Sequence, residues 1–292
     1  QRPSAALGAL VCMEDASHKM EGSHFLSATS MCDVDSEAVQ EIAQTIVAAT
    51  SDRRQRAVLA FEHAQNAVLY RVGIYSDKSS DTLRRGYGSC SNKANVLVSI
   101  LRALQVPAGF GELLVNGKGY LLWPTPAFGH RIERCKTLLS EFNSSTRHFF
   151  VLLQLGGVWL RVDPSDDLRL SDGGKHCLRT LEPVVFDGFS DACLRINPLD
   201  VRIDWSLSRQ PMSSIDSYLL KKQKAPPLRV QIINLGLEFI RNHGADVSSQ
   251  PPNAQIHACW RYIMQQLRKG YEENSVLLKL LASATTGFSA KL

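Results

Sequence analysis

The sequence predicts an α+β core over residues 1–204 and a helical C-terminal extension over residues 205–292 packed on it. Three observations carry this division. Apolar residues recur at helical spacing in blocks as far as Leu104; short strand-like runs follow, two of them separated only by Gly156-Gly157; beyond Trp205 only helical patterns remain, parted by Ala225-Pro226-Pro227 and Gln250-Pro251-Pro252.

Taken in order, "DSEAVQEIAQTIVAAT" offers Asp35 as an N-cap and an apolar stripe at Val39, Ile42, Ala43, Ile46 and Val47. A second helix is expected from Asp52 to Val68, and "LYRVGIY" reads as a short extended piece leading into a glycine-rich turn. From Ser91, Ala94, Leu97, Val98, Leu101 and Leu104 share one helical stripe while Asn92, Asn95, Ser99 and Arg102 share the other. Val96, Ile100 and Ala103 widen the apolar face, which predicts a mostly buried helix ending at Val106-Pro107. "AGFGELLV", "HFFVLLQL" and "VWLRV" read as strands, the last two joined in a tight hairpin. In the extension, Ile256, Cys259, Trp260, Ile263, Met264 and Leu267 form a core-facing helical stripe.

The composition, 44% apolar and 21% charged, is that of an ordinary globular chain. No apolar run reaches the ~18 residues of a membrane span. "AALGALVC" resembles the end of a lipoprotein leader with Cys12 as acceptor, but only Arg2 precedes a short apolar part, which argues against processing there; Met13 and Met20 are alternative native starts. The seven cysteines are odd in number, scattered, and never in a Cys-x-x-Cys pair, which argues against a disulfide framework and a zinc site and for a reducing, cytoplasmic setting. Phosphate-cradling and dinucleotide-binding glycine motifs are missing, so neither a cofactor nor a metal is expected. Up to residue 204 there are 22 Lys and Arg against 23 Asp and Glu (net −1), and beyond it 11 against 5 (net +6). That basic tail reads either as a solvated face or as a docking surface for an acidic partner; nucleic acid and membrane are not expected partners.

Cys90 follows "GYGS" and opens the buried helix. There the unpaired N–H groups and the positive end of the helix dipole favour a thiolate, and the Cys90 amide is available to an oxyanion. A free cysteine is also commonly a small buried hydrophobe, so the position alone decides little. The hairpin adds to it. If Gly156 and Gly157 are the two turn residues, Leu155 pairs with Val158, and counting back places Phe150 opposite Asp163 and His148 opposite Ser165. His148 and Phe150 point to one side of the sheet, so Asp163 becomes the diagonal neighbour of His148. Singly, His148 reads as a core or strand-end histidine and Asp163 as a turn-forming Asp-Pro. Together with Cys90 they match a nucleophile, a base and the carboxylate that orients it. The other histidines lack such company: His63 falls within a helix, His130 in a loop, His176 in a glycine-containing turn, and His243 and His257 in the helical tail.

"GYGSCSNKANVLVSILRALQVPAGFGEL" followed by "HFFVLLQLGGVWLRVDPSDD" resembles the bacterial transglutaminase-like superfamily, with Gly-x-Cys before an apolar helix, a strand histidine, a glycine turn, Trp and Val-Asp-Pro. The flanking "FLSATSMCDVDSEAVQEIAQTI" and "VVFDGFSDACL" extend the resemblance over residues 24–196. It implies a papain-like α+β fold with Cys90 as nucleophile, His148 as general base and then acid, and Asp163 as the orienting carboxylate. It does not place a side-chain oxyanion donor, for which Tyr75 and Tyr87 are candidates. A branch of the superfamily joins acyl groups from thioesters to amines in peptide and polyketide antibiotic assembly of the andrimid type. The resemblance therefore implies an acyl thioester donor, an amine acceptor and acidic acyl or peptidyl carrier proteins as partners. The rival readings are a cysteine peptidase or amidase using the same three residues, and an inactive binding module.

Overall fold

The computed structural model of the chain describes residues 22–73, 75–116, 145–176, 183–193, 211–221 and 228–270. Cys12, His130, Lys222, Lys224, the Ala225-Pro226-Pro227 break and the expected boundary at residues 204/205 lie outside the described residues. A single 3₁₀ turn, Gly22–Phe25, precedes α1 (Glu37–Ala49) and α2 (Arg53–Ala67). Asp52 starts α2 by accepting from the backbone N–H groups of Arg54 and Gln55 at 2.7 and 2.9 Å, which satisfies two of the donors a helix start leaves open. α1 begins after Ser36 rather than directly after Asp35, and no side chain caps it.

The chain continues through β1 (Leu69–Tyr70), α3 (Ser79–Arg85) and β2 (Tyr87–Gly88) into α4 (Cys90–Ala103). β1 and β2 pair in parallel, Tyr70 opposite Gly88, and this anchors the backbone just ahead of Cys90. α4 is buried on every side, including the stripe that the pattern marks as polar: Asn92, Asn95, Ser99 and Arg102 are all 0% exposed. Burial of that stripe is tolerated because each of its four side chains is hydrogen-bonded, Asn95 through its amide nitrogen while its Oδ1 goes without a partner. Asn95 donates to Met31 O at 2.8 Å, and Ser99 Oγ lies 2.6 Å from Ser79 Oγ and 3.0 Å from Cys32 Sγ. The Arg102 guanidinium donates to the carbonyls of Ala108, Ser27 and Ser213, at 2.6–3.0 Å. One buried arginine thus ties the N-terminal loop, the first strand of the main sheet and the segment leading to the tail.

That sheet is antiparallel, in the order β3 (Ala108–Asn116), β4 (Ser145–Leu155), β5 (Val158–Val162). Gly156 and Gly157 turn with φ of 61° and 81°, the left-handed pair of a two-residue hairpin, and Leu155 pairs with Val158 as the sequence predicts. Phe110 also bridges Met212 antiparallel, so the tail's first described residues extend the β3 edge; Val162 bridges Ala192 in parallel at the other edge. The core between α4, α1, α2 and the sheet is built from Leu97, Ile100, Leu101, Phe61, Phe149, Val151 and Leu153, each at most 1% exposed, and burying a side chain of this size contributes ~1.5–3 kcal/mol.

After β5 come α5 (Leu168–His176), the short α6 (Asp216–Leu219), α7 (Leu228–Val247) and α8 (Pro252–Gly270). "SDGGKH", expected as a turn around His176, is helical instead. Two causes outweigh the low helix propensity of its glycines. Asp167 caps the first turn by accepting from Leu170 N at 2.9 Å, and α5 packs on α7 so closely that a Cβ on Gly173 would stand 2.1 Å from Ile240 O. Cys259, Ile263, Met264 and Leu267 of the expected stripe face α7 in a second apolar cluster. Among the described residues no helix is long and apolar enough to cross a membrane.

Candidate active site

Cys90 is the first residue of α4 and 9% exposed, so the unpaired N–H groups and the positive dipole end of a 14-residue helix lie at its sulfur. Two local features hold it there. Asn92 Oδ1 accepts from Ser89 N at 3.3 Å and Ser89 Oγ at 2.8 Å, while Asn92 Nδ2 donates to Tyr75 O at 2.9 Å. A Cβ on Gly88 would stand 2.7 Å from Asn92 Cβ, so only glycine fits two residues before the thiol.

His148 on β4 and Asp163 just past β5 are 2% and 3% exposed, and His148 Nε2 lies 2.6 Å from Asp163 Oδ2. Asp163 Oδ1 accepts from Ser165 N at 3.0 Å, so both carboxylate oxygens are engaged, and Asp163 N donates to Ala192 O at 2.8 Å, which holds the backbone beneath it. The ladder runs unbroken from the Gly-Gly turn to Val151 opposite Val162, and this carries Asp163 to the face of His148, as the register expected from sequence requires. Burial alone would push the imidazole pKa down. The Asp163 carboxylate, and after it Cys90, outweigh burial and hold His148 well above its ordinary value of 6.5. Burial likewise opposes the Asp163 charge, but His148 and Ser165 keep its pKa below 3.8. The other ring nitrogen, Nδ1, is buried without a hydrogen bond, and Cys90 is the further ionisable neighbour acting on the ring. Nδ1 is therefore the nitrogen open to the thiol. Such an arrangement can take a proton from sulfur, keep it on a carboxylate-backed imidazolium and return it to a leaving group.

The other described histidines lie on other elements. His63 lies in α2 with its pKa lowered by burial, His243 stacks against Phe239 and Tyr262 at 5.4 Å each, and His257 lies in α8. Tyr75 and Tyr87 meet edge to face at 5.7 Å with the Arg85 guanidinium over both rings, and the Tyr75 hydroxyl donates to Val72 O at 3.3 Å. Among the described residues no group of three or more His, Cys, Asp or Glu side chains is placed to hold a metal ion.

The pattern reading did not identify the buried charges behind the site. Lys93 is 0% exposed, donates to Gln65 O at 2.8 Å and to Val68 O, and burial lowers its pKa to about 7 against the pull of Asp167, Asp166 and Asp163. Asp167 accepts from Tyr70 N at 3.0 Å and forms a buried ion pair with Arg241 of α7, Nη2 to Oδ2 at 2.7 Å; Arg241 also donates to Tyr70 O. Asn234 of α7 grips Val72 through N–H and C=O at 2.7 and 2.9 Å. α7 thereby holds β1, β1 holds β2, and β2 leads into Cys90, which shares an apolar cluster with Ile232, Leu237 and Ile240 of α7. The run Asp163-Pro164-Ser165-Asp166-Asp167 was the visible signal; its cationic partner is 74 residues away.

No curated protein matches the chain. A solved structure described as a "putative cysteine protease" from Cytophaga hutchinsonii is 18% identical with a TM-score of 0.36, covering 50% of this chain and 42% of its own. The family model of the transglutaminase-like superfamily matches residues 40–164, the stretch that holds Cys90, His148 and Asp163, and this α+β core, with the cysteine helix packed beside an antiparallel sheet, is transglutaminase-like.

Proposed function

We propose that the protein is a thiol acyltransferase that forms an amide bond through an acyl-Cys90 intermediate. The observation that carries the reading is the buried 2.6 Å contact of His148 Nε2 with Asp163, which leaves Nδ1 to serve a thiol at a helix N-terminus. In this mechanism Cys90 sulfur attacks the acyl carbonyl, His148 carries the proton to the leaving group, and an amine then attacks the thioester while His148 takes up its proton. Transfer is favoured over hydrolysis because all three groups are at most 9% exposed, a setting in which a bound amine competes well against water. The donor is a thioester, carrier-bound in a nonribosomal peptide or polyketide assembly line, and the setting is the cytoplasm, where the thiol stays reduced.

The acidic carrier partner rests on the net +6 charge beyond residue 204, which includes the exposed Lys221. Reversing the charge at Lys221, Lys222 and Lys224 raises the apparent KM for a carrier-bound donor and spares a small thioester if the carrier docks there; equal effects on both donors remove this partner. The reaction itself is tested by loading the protein with a small soluble thioester, adding a primary amine and weighing the products. Amide as the main product supports the transferase. Free acid alone, at saturating amine, overturns it in favour of the peptidase or amidase.

A further inference from the structure

Two polar side chains on one face of α7 reach the core ahead of Cys90. Arg241 takes Tyr70 O and Asp167, and Asn234, about two helical turns earlier, takes Val72. The ion pair is a fastening. Asn234, which lies outside the stretch matched by the family model, begins something longer: a line of hydrogen bonds that ends at the cap of the cysteine helix.

Each link of that line is short and ends on a named atom. Asn234 Oδ1 accepts from Val72 N at 2.7 Å and Asn234 Nδ2 donates to Val72 O at 2.9 Å, so both ends of the amide are engaged. The same Val72 carbonyl accepts from the Tyr75 hydroxyl at 3.3 Å. The Tyr75 ring has little room to move. A Cβ on Gly73, whose φ is 152°, would stand 3.0 Å from both Cζ and Oη of the tyrosine, and the Arg85 guanidinium lies 4.6 Å from the ring centroid. Tyr75 O accepts in turn from Asn92 Nδ2 at 2.9 Å. Asn92 is 0% exposed, and its Oδ1 accepts from Ser89 N at 3.3 Å and Ser89 Oγ at 2.8 Å. Ser89 is the N-cap of α4, and Cys90 is the next residue.

The line therefore joins a helix of the C-terminal extension to the first turn of α4 through neutral amides, backbone atoms and one clamped ring. It can set position without adding charge. Position matters at this point, because the support that helix N–H groups give a thiolate falls off within the first turn. Loss of the Asn234 amide frees the Val72 carbonyl, loosens the Tyr75 ring and weakens the hold of Tyr75 O on Asn92. The Ser89 cap then rests on Asn92 Oδ1 alone. We propose that Asn234 is a positioning residue for Cys90, acting through Val72, Tyr75 and Asn92, so that the C-terminal extension sets the reactivity of the thiol. This rests on Cys90 being the reactive thiol of the acyl-Cys90 reading.

The test measures alkylation of Cys90 by iodoacetamide, followed by peptide mapping across a pH series, in Asn234→Ala, Asn92→Ala and the double variant. Urea unfolding alongside identifies the variants that are folded, and Tyr75→Phe, which removes only the hydroxyl, replaces Asn92→Ala in the cycle if that variant does not fold. At mildly acidic pH, Asn234→Ala is expected to slow alkylation about fivefold and to move the profile to higher pH, and Asn92→Ala to slow it about tenfold. The double variant should be no slower than Asn92→Ala, since the line is already cut. A rate for Asn234→Ala within about twofold of wild type, with an unchanged pH profile, overturns the assignment. So does a double variant slowed by the product of the two single effects, about fiftyfold, because the residues then act independently. Alkylation involves no acyl step, so these outcomes decide the role of Asn234 separately from the acyl-thiol reading, which stands or falls on the nitrophenolate burst of the wild type with 4-nitrophenyl acetate.

Discussion

Replacing Asp163 with Asn probes the proton logic of the site at a single atom. Asp163 Oδ1 accepts from Ser165 N at 3.0 Å, so an asparagine that keeps this bond must turn its NH₂ toward His148 Nε2, now 2.6 Å from Oδ2. Nε2 then becomes an acceptor, the ring proton moves to Nδ1, and the nitrogen open to Cys90 can no longer accept from the thiol. The charge that outweighs burial is also lost, so the His148 pKa falls from well above 6.5 toward the low side that burial dictates. A wrong tautomer and an unsupported imidazolium together cost about 10³–10⁴ in rate, or roughly 4–5.5 kcal/mol of barrier. The assay is the stopped-flow burst with 4-nitrophenyl acetate as a function of pH, with urea unfolding alongside. In wild type the raised His148 contributes stability that is complete below its unfolded value near 6.5 and fades as pH rises through the folded pKa. The lowered Asp163 contributes stability present above 3.8 and lost as pH falls through its folded pKa. Both limbs shrink in the variant. A loss of less than about tenfold, with an unchanged pH profile, would show that the Asp163 contact does not set the proton on His148.

Arg241→Met leaves Asp167 charged and buried with only backbone donors, and breaking a buried pair of this kind costs about 3–5 kcal/mol; a urea-derived loss below about 1 kcal/mol would show that α7 is not secured to β1 by that pair. Lys93 binds its proton less tightly folded than unfolded, so its contribution to stability rises with pH between about 7 and 10.5, and Lys93→Met should flatten that rise relative to wild type; parallel pH–stability curves would count against a buried titrating ammonium.

The hairpin was legible because a two-residue Gly-Gly turn leaves one register, and a bulge anywhere between Val151 and Leu155 would have sent Asp163 to the wrong face. The start of α4 was legible for a similar local reason: glycines, then apolar residues at helical spacing. What pattern could not reveal were features decided by distant partners. The polar stripe of α4 looks like a wet face until Met31, Ser79 and Ala108 supply its hydrogen bonds. "SDGGKH" has the composition of a turn until Gly173 meets the backbone of α7. Arg241 lies in a tail whose charges carry no spacing that points to Cys90. The pairing of Asp163 with His148 could be counted along a hairpin; the approach of Cys90 to both depends on how α4 packs beside the sheet.

The claim on which the rest depends is a covalent acyl group on one particular sulfur. Intact mass and peptide mapping of the protein mixed with 4-nitrophenyl acetate, with Cys90→Ala in parallel, measure it directly. One acetyl group on Cys90, absent from the variant and discharged when a primary amine is added, is the predicted result. Acetylation spread over Cys32, Cys193 and Cys259 with Cys90 unmodified, or the same adduct and turnover in Cys90→Ala, would contradict it.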